Sequence, residues 1–349
     1  VLAVNAYPLA TLAMNNSNFA STRHLPCAVF GRSATPAVLA ALAALLAISC
    51  TTPPDPANNR GYHRIVVLSD THLPSDNDQA KQLAIATINS WVDVDRVAVL
   101  GDVVATCGTP DQFAYAKTFL GKVSKPLRMI GGNHDYIYPD GYPRNPQTGR
   151  SLKEESPQAR LVKLDRQKAT WELPQLYYSE RLGPYLQVYL TCDGLYTNNY
   201  TEMSFRQLQW FADELARNPT VPTIVFFHGP LKGTYSANRI NPRTPDSGFA
   251  EPAGVIRAIL EENPQVFLWV AGHLHIPTEA EDFAADMNLY AGRIWNIHNP
   301  SLTRPSNGHA IWTNSLFLYP DRVEVRTYDH KANVWLTQFD RTIAIPNLR

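Results

Sequence analysis

The sequence predicts an α/β domain built from parallel strand–helix–strand units, preceded by an export-type leader. Three observations carry this. Apolar, β-branched runs alternate with helical segments at a spacing of roughly 30 residues. Five such runs are each followed within three residues by Asp, Asn or His. From Ala310 to Ala344 the chain falls into three alternating segments that read as antiparallel strands closing a second sheet.

Taken in order, residues 1–50 come first and hold Arg23 and Arg32 but no acidic residue. From Ala37 to Ile48 every residue is Ala, Leu, Val or Ile. A run that short spans a bilayer poorly. With its basic flank and following small residues it has the form of a secretory signal. It ends Ala47-Ile48-Ser49-Cys50, which resembles a bacterial lipoprotein signal, although Ala47 stands where Leu is usual. That implies lipid attachment at Cys50, membrane anchoring, and a periplasmic or membrane-anchored location in a bacterium. A buried Ala/Leu helix is the alternative, and Met14 is a candidate start for the leader. Thr51 to Gly61 is polar and Pro-rich, a tether. Residues 62–349 then read as one domain.

Within that domain Arg64–Ser69 is a strand, Gln79–Trp91 a helix with Leu83, Ile85, Ile88 and Trp91 on one side, Arg96–Leu100 a strand, Gln112–Gly121 a helix and Leu127–Ile130 a strand. Residues 136–170, where Pro139, Asp140, Gly141, Pro143, Asn145 and Pro146 mark turns ahead of a charged stretch, read as an insertion. Tyr185–Leu190 resumes as a strand. Ser204 and Gln207 predict a capping box opening a helix to Arg217. Val221–Phe227 is a strand, Pro252–Glu262 a helix and Val266–Val270 a strand; the closing segments are 310–318, 322–328 and 333–344.

Composition narrows the function. Basic and acidic residues balance at 31 each, so no broad electrostatic surface for nucleic acid is evident. Four Cys without C-x-x-C spacing exclude a disulfide scaffold, and an apolar fraction of 44% excludes disorder for most of the chain.

The chemistry sits at the strand ends: Asp70-Thr71-His72, Gly101-Asp102, Gly132-Asn133-His134-Asp135, His228, and Gly272-His273-Leu274-His275. Parallel topology gathers those ends. Alternate residues of an extended chain point the same way, so Asp70 with His72, and His273 with His275, are expected to face a common centre. The glycines allow sharp turns. Imidazole, carboxylate and amide oxygen suit Mn, Fe, Zn or Co, and no thiolate lies among them. Singly, each residue has a bland explanation: a helix cap, a turn or a satisfied core histidine.

The ordered set Asp-x-His, Gly-Asp, Gly-Asn-His-Asp, a lone His and Gly-His-x-His resembles the calcineurin-like metallophosphoesterase superfamily over residues 62–349. The resemblance implies a four-layer α/β/β/α sandwich with two central mixed sheets. It implies one metal on Asp70, His72, Asp102 and His275, and another on Asp102, Asn133, His228 and His273. Both would be divalent or trivalent transition ions. A bridging hydroxide would attack a small-molecule phosphate mono- or diester, with His134 at the phosphoryl group assisting the leaving oxygen. In motif pattern the chain is similar to class III cyclic nucleotide phosphodiesterase-like bacterial members. A nucleotide pyrophosphatase or other metal-dependent hydrolase, and a non-catalytic metal-containing binding protein, are the alternatives.

One departure stands out. Many relatives carry an acid three positions past the bridging Asp; here that position is Ala105, which leaves the partner of His134 open. Asp135 reads as a turn or supporting residue, and His298 and His309 as structural residues on later loops. Arg144, Arg150 and Lys153, and Lys232, Tyr235, Arg239 and Arg243, lie on two loops expected to shape a pocket. In an oxidising compartment Cys107 and Cys192 are a candidate pair.

Overall fold

Continuous apolar runs along the first strands already call for two buried faces, and both exist. In a computed structural model, described here for residues 60–141, 155–197, 199–236, 248–303 and 311–348, two mixed sheets lie face to face. The compact unit they belong to runs from Pro54 to Arg349. The leader, Cys50, most of the tether, His309, and Arg144, Arg150, Lys153, Arg239 and Arg243 lie outside the described residues.

The first sheet contains β1 (His63–Leu68), β2 (Arg96–Leu100) and β3 (Leu127–Ile130), all parallel. Helices α1 (Asp78–Ser90) and α2 (Pro110–Leu120) connect them. Val66, Leu68, Val97 and Val99 pack outward against Ile85, Ile88 and Phe113 of those helices. Ile65, Val67, Ala98 and Leu100 point the other way, onto Ile224, Phe226, Leu268 and Val270 of the second sheet. The second sheet runs β4 (Tyr178–Leu182), β5 (Tyr185–Tyr189), β6 (Thr223–Phe226), β7 (Val266–Ala271), β9 (Ile294–His298) and β8 (Leu289–Tyr290). Its outer face, with Val188, Val225 and Trp269, is covered by α4 (Phe205–Ala216) and α5 (Ala253–Glu262) through Leu208, Phe211, Ile256 and Leu260. The layers are therefore α/β/β/α, each sheet burying both faces.

The structure corrects several sequence readings. The closing segments do not build the second sheet. They join the first, where β10 (Trp312–Leu318) pairs antiparallel with β1 and β11 (Arg322–Asp329) pairs with β10. The segment 333–344 is not one strand but β12 (Val334–Trp335) and β13 (Arg341–Ala344), both on β11. Part of the supposed insertion is a helix, α3 (Pro157–Thr170), capped by the Ser156 hydroxyl with Pro157 at its first turn. Half of the expected capping box forms: the Ser204 hydroxyl accepts from the Gln207 N–H, but the Gln207 side chain turns inward to Thr191 and Asp193. Leu83 is 45% exposed, off the buried stripe of α1. His298 ends strand β9 and is buried, not on a loop. Cys107 and Cys192 are separate, buried free thiols, so the candidate pair is not made. Among the described residues no helix is long and apolar enough to cross a membrane.

Candidate metal centre

The carboxyl ends of β1, β2 and β3 meet those of β6 and β7 at one rim, where the backbone itself is distorted. Asp70, His72, Asp102, His273 and His275 all have positive φ, between 41° and 67°. The extended-chain argument for Asp70 with His72, and for His273 with His275, is thus corrected: left-handed turns, not strand alternation, aim these pairs. Such φ values cost roughly 1–2 kcal/mol each for residues with a Cβ and persist only where surroundings hold them. Here the His72 N–H donates to the Asp102 carbonyl at 2.9 Å, and the His273 N–H to the Asp70 carboxylate at 3.1 Å. Gly132 and Gly272 serve close approach: a Cβ on the former would collide with Asp102 and His228, on the latter with Ser69 and Asp70.

Two groups of side chains result. Asp70, His72, Asp102 and His275 offer donor atoms all within 4.8 Å of one another, and so do Asp102, His228 and His273. Asp102 belongs to both. Its Oδ2 lies 3.2 Å from His228 Nε2 and 3.7 Å from His72 Nε2. His275 Nε2 is 2.9 Å from Asp70 Oδ1 and 3.4 Å from His72 Nε2. Asn133 is buried beside this set; its amide nitrogen donates to the Tyr138 hydroxyl at 3.0 Å, leaving Oδ1 buried without a hydrogen bond.

Supporting bonds orient these groups. His228 Nδ1 donates to the Leu100 carbonyl at 2.7 Å, which turns Nε2 to the site. The Ser69 hydroxyl holds Asp70 Oδ2 at 2.5 Å. His134 stands next to His72, ring centres 4.7 Å apart, with Nδ1 on the Thr106 carbonyl at 3.1 Å. A backbone carbonyl thus takes the place left by Ala105. No side-chain pattern announces such a partner. Asp135 is fully buried and accepts N–H bonds from Gly132, Val103 and Val104 at 2.8–3.0 Å, tying the β2 and β3 turns together.

The charges follow from this crowding. Burial alone would raise the Asp70 and Asp102 carboxyls, but nearby imidazoles, His275 for the first and His228 for the second, outweigh it and keep both ionised. Burial pulls His72 down to about 3, so it is neutral. Burial also lowers His134. For His228 burial is outweighed by Asp102, and its pKa rises to about 9. Without a metal, then, His228 is held as an imidazolium beside the Asp102 carboxylate. Burial, with the charge of Asp102, lifts Asp135 to about 7.

Of the pocket loops, Tyr235 is buried in an apolar cluster with Phe249, Ile276 and Phe283, and the Lys232 ammonium lies 4.5 Å from the Phe249 ring centre. Tyr235 is a packing residue here, not a pocket wall.

The donor set fits a cation. An orphaned amide oxygen, two imidazole nitrogens facing each other and two ionised carboxylates converge without a thiolate, the set that suits a divalent metal of the Zn, Mn, Fe or Co kind. Such a cluster on the strand ends of two facing sheets makes this an α/β/β/α protein with a candidate metal centre. The chain belongs to the calcineurin-like phosphoesterase family, whose model it matches over residues 63–277. The glycerophosphodiester phosphodiesterase GpdQ of Enterobacter lignolyticus is 36% identical to it over 80 residues, 20% of this chain and 28% of that protein. The match thus spans less than a third of that relative. Among solved structures, a dimetal phosphatase from Danio rerio aligns with 81% of this chain and 99% of its own at 14% identity and a TM-score of 0.54. GAP50, the anchor in the inner membrane complex of Plasmodium, aligns over 82% and 90% at 11% identity and 0.51. At those identities the likeness is one of fold.

Proposed function

We propose that the protein is a dinuclear metal-dependent phosphoesterase acting on a small-molecule phosphate mono- or diester. The observation that carries this is the position of Asp102, whose carboxylate is common to both donor groups. Asp70, His72, Asp102 and His275 would hold one cation; Asp102, Asn133, His228 and His273 would hold the other. Bound there, the cations supply an activated water at neutral pH and charge neutralisation on the phosphoryl oxygens.

The chain's own residues do the rest. His134 carries its single ring proton on Nδ1, bonded to the Thr106 carbonyl, which leaves Nε2 for substrate. In the free protein burial keeps this imidazole neutral. The negative charge of a bound phosphoryl group favours a second proton on Nε2, and that proton is the one passed to the departing oxygen. Asp135 keeps the turns bearing Asp102 and Asn133 in register through its three N–H bonds. The short match to a glycerophosphodiester phosphodiesterase favours a diester.

Assay of metal-reconstituted protein on a panel of phosphate monoesters, diesters and anhydrides tests the reading. Hydrolysis of an ester series with the anhydrides inert supports it. Turnover of anhydrides alone would make the protein a pyrophosphatase, and no turnover by metal-loaded protein would leave a binding role. We also propose export and lipid anchoring, on the strength of the leader and Cys50 alone.

A further inference from the structure

Below the first metal-binding turn lies a buried lysine that the proposed chemistry does not use. Lys81, on α1, is 1% exposed. An ammonium is costly to bury unless each of its three protons finds an acceptor. Here Nζ reaches the Thr71 carbonyl at 2.5 Å, the Ser75 hydroxyl at 2.5 Å and Asp78 Oδ1 at 2.9 Å. Asp78 neutralises the charge and is itself held by the Tyr115 hydroxyl at 2.9 Å.

Thr71 is the residue between Asp70 and His72. Its carbonyl takes a second hydrogen bond, from the Thr303 hydroxyl at 2.7 Å, so both oxygen lone pairs are engaged. The other end of the same peptide is the His72 N–H, bonded to the Asp102 carbonyl at 2.9 Å. One peptide plane is therefore clamped at both ends, and it leads directly into His72, left-handed at φ 41°, one residue after the left-handed Asp70 at φ 51°. Rotation of that plane would swing the His72 ring away from Asp102 and His275. An isolated Lys–Asp pair would need only Asp78; the ammonium also reaches the Thr71 carbonyl, at a shorter distance than its carboxylate partner.

We propose that Lys81 is a positioning residue: by fixing the Thr71–His72 peptide it orients the His72 imidazole as a ligand of the first cation. The role rests on the dinuclear reading above. Because His72 belongs to only one of the two donor groups, the role is specific to one site.

Mn2+ titration of metal-free wild type, Lys81→Met and Thr303→Val, followed calorimetrically with melting curves alongside, tests it. The wild type should bind two ions. Lys81→Met should weaken one binding step by about 10–100-fold, the range for partners that orient metal ligands, and leave the other unchanged. Thr303→Val removes the second donor to the same carbonyl from a half-buried position. It should weaken the same step to a smaller extent, and it decides the matter if Lys81→Met does not fold. Two unchanged steps in the folded variants overturn the role of Lys81 while leaving the dinuclear centre intact. Equal weakening of both steps with a lowered melting temperature overturns it too, since that is what general loss of stability produces. A wild type that binds no Mn2+ overturns the dinuclear reading and this role with it.

Discussion

The backbone N–H of His134 donates to Asp102 Oδ1 at 2.8 Å, while Oδ2 of the same carboxylate lies between His228 and His72. One oxygen is thus occupied by the protein and the other is offered to the site from both sides. The carboxylate cannot rotate without losing the His134 bond, and this couples the residue proposed to touch both cations to the residue proposed to touch substrate.

That coupling sets the first expectation. Asp102→Ala should lose metal and activity together, because it removes a donor from both groups. Elemental analysis of wild type should find up to two transition ions per chain and the variant far fewer. Full metal content in the variant would remove Asp102 from the centre.

His134→Ala should behave differently. It should keep its metals and lose about 10²–10⁴-fold in rate, the span of general acid–base catalysis. Esters with poor alkyl leaving groups should suffer more than activated aryl esters, whose oxygen departs without a proton. Equal loss on both would make the imidazole an electrostatic contact, and departure of the metals would make it a ligand.

The pH dependence of the metal-free protein follows from His228. Its folded pKa is raised to about 9 from an ordinary imidazole value near 6.5. The stabilisation is then fully present below about pH 6.5 and is lost as pH climbs towards 9. Melting temperatures of chelator-treated protein should fall across that window, and His228→Asn should flatten the slope. Metal binding should release a proton there, measurable as a dependence of binding heat on buffer. A flat wild-type profile between pH 6.5 and 9 would contradict the assignment.

Asp135 should prove a brace between turns. Asp135→Ala strands three buried N–H groups, those of Gly132, Val103 and Val104, at an expected cost of at least about 3 kcal/mol. Asp135→Asn keeps one acceptor oxygen and the shape of the protonated carboxyl, so it should fall between the two in denaturant unfolding. An alanine variant as stable as wild type would refute the brace.

For the leader, Cys50→Ala should move the protein from the membrane to the soluble fraction on cell fractionation. Retention in the membrane by the variant would count against lipid attachment at that residue.

Much of the centre was legible beforehand because metal coordination admits few residue types. Asp70, His72, Asp102, Asn133, His228, His273 and His275 stand at strand ends, and the parallel order of β1, β2 and β3 follows from the alternation of runs and helices. The partner of His134 was not legible, since the Thr106 carbonyl carries no side-chain signature. Nor was Lys81, whose burial nothing in its neighbourhood announces. Helix α3 was hidden by its polarity, although Ser156-Pro157 marked its start.

By itself the sequence determined which atoms are available: carboxylates, imidazoles and an amide in fixed order, on runs hydrophobic enough to be buried on both faces. Only the tertiary structure decided how they converge. Left-handed φ at Asp70, His72, Asp102, His273 and His275 is intrinsically unfavourable and is imposed by bonds from distant segments, such as the Asp102 carbonyl to His72 and Thr303 to Thr71. The same holds for β10 and β11. Their alternation specifies one buried face each, but the choice of β1 as their neighbour depends on which sheet edge is open once β2 has taken the other side. Local pattern sets a strand's faces; pairing across 250 residues is settled by packing alone.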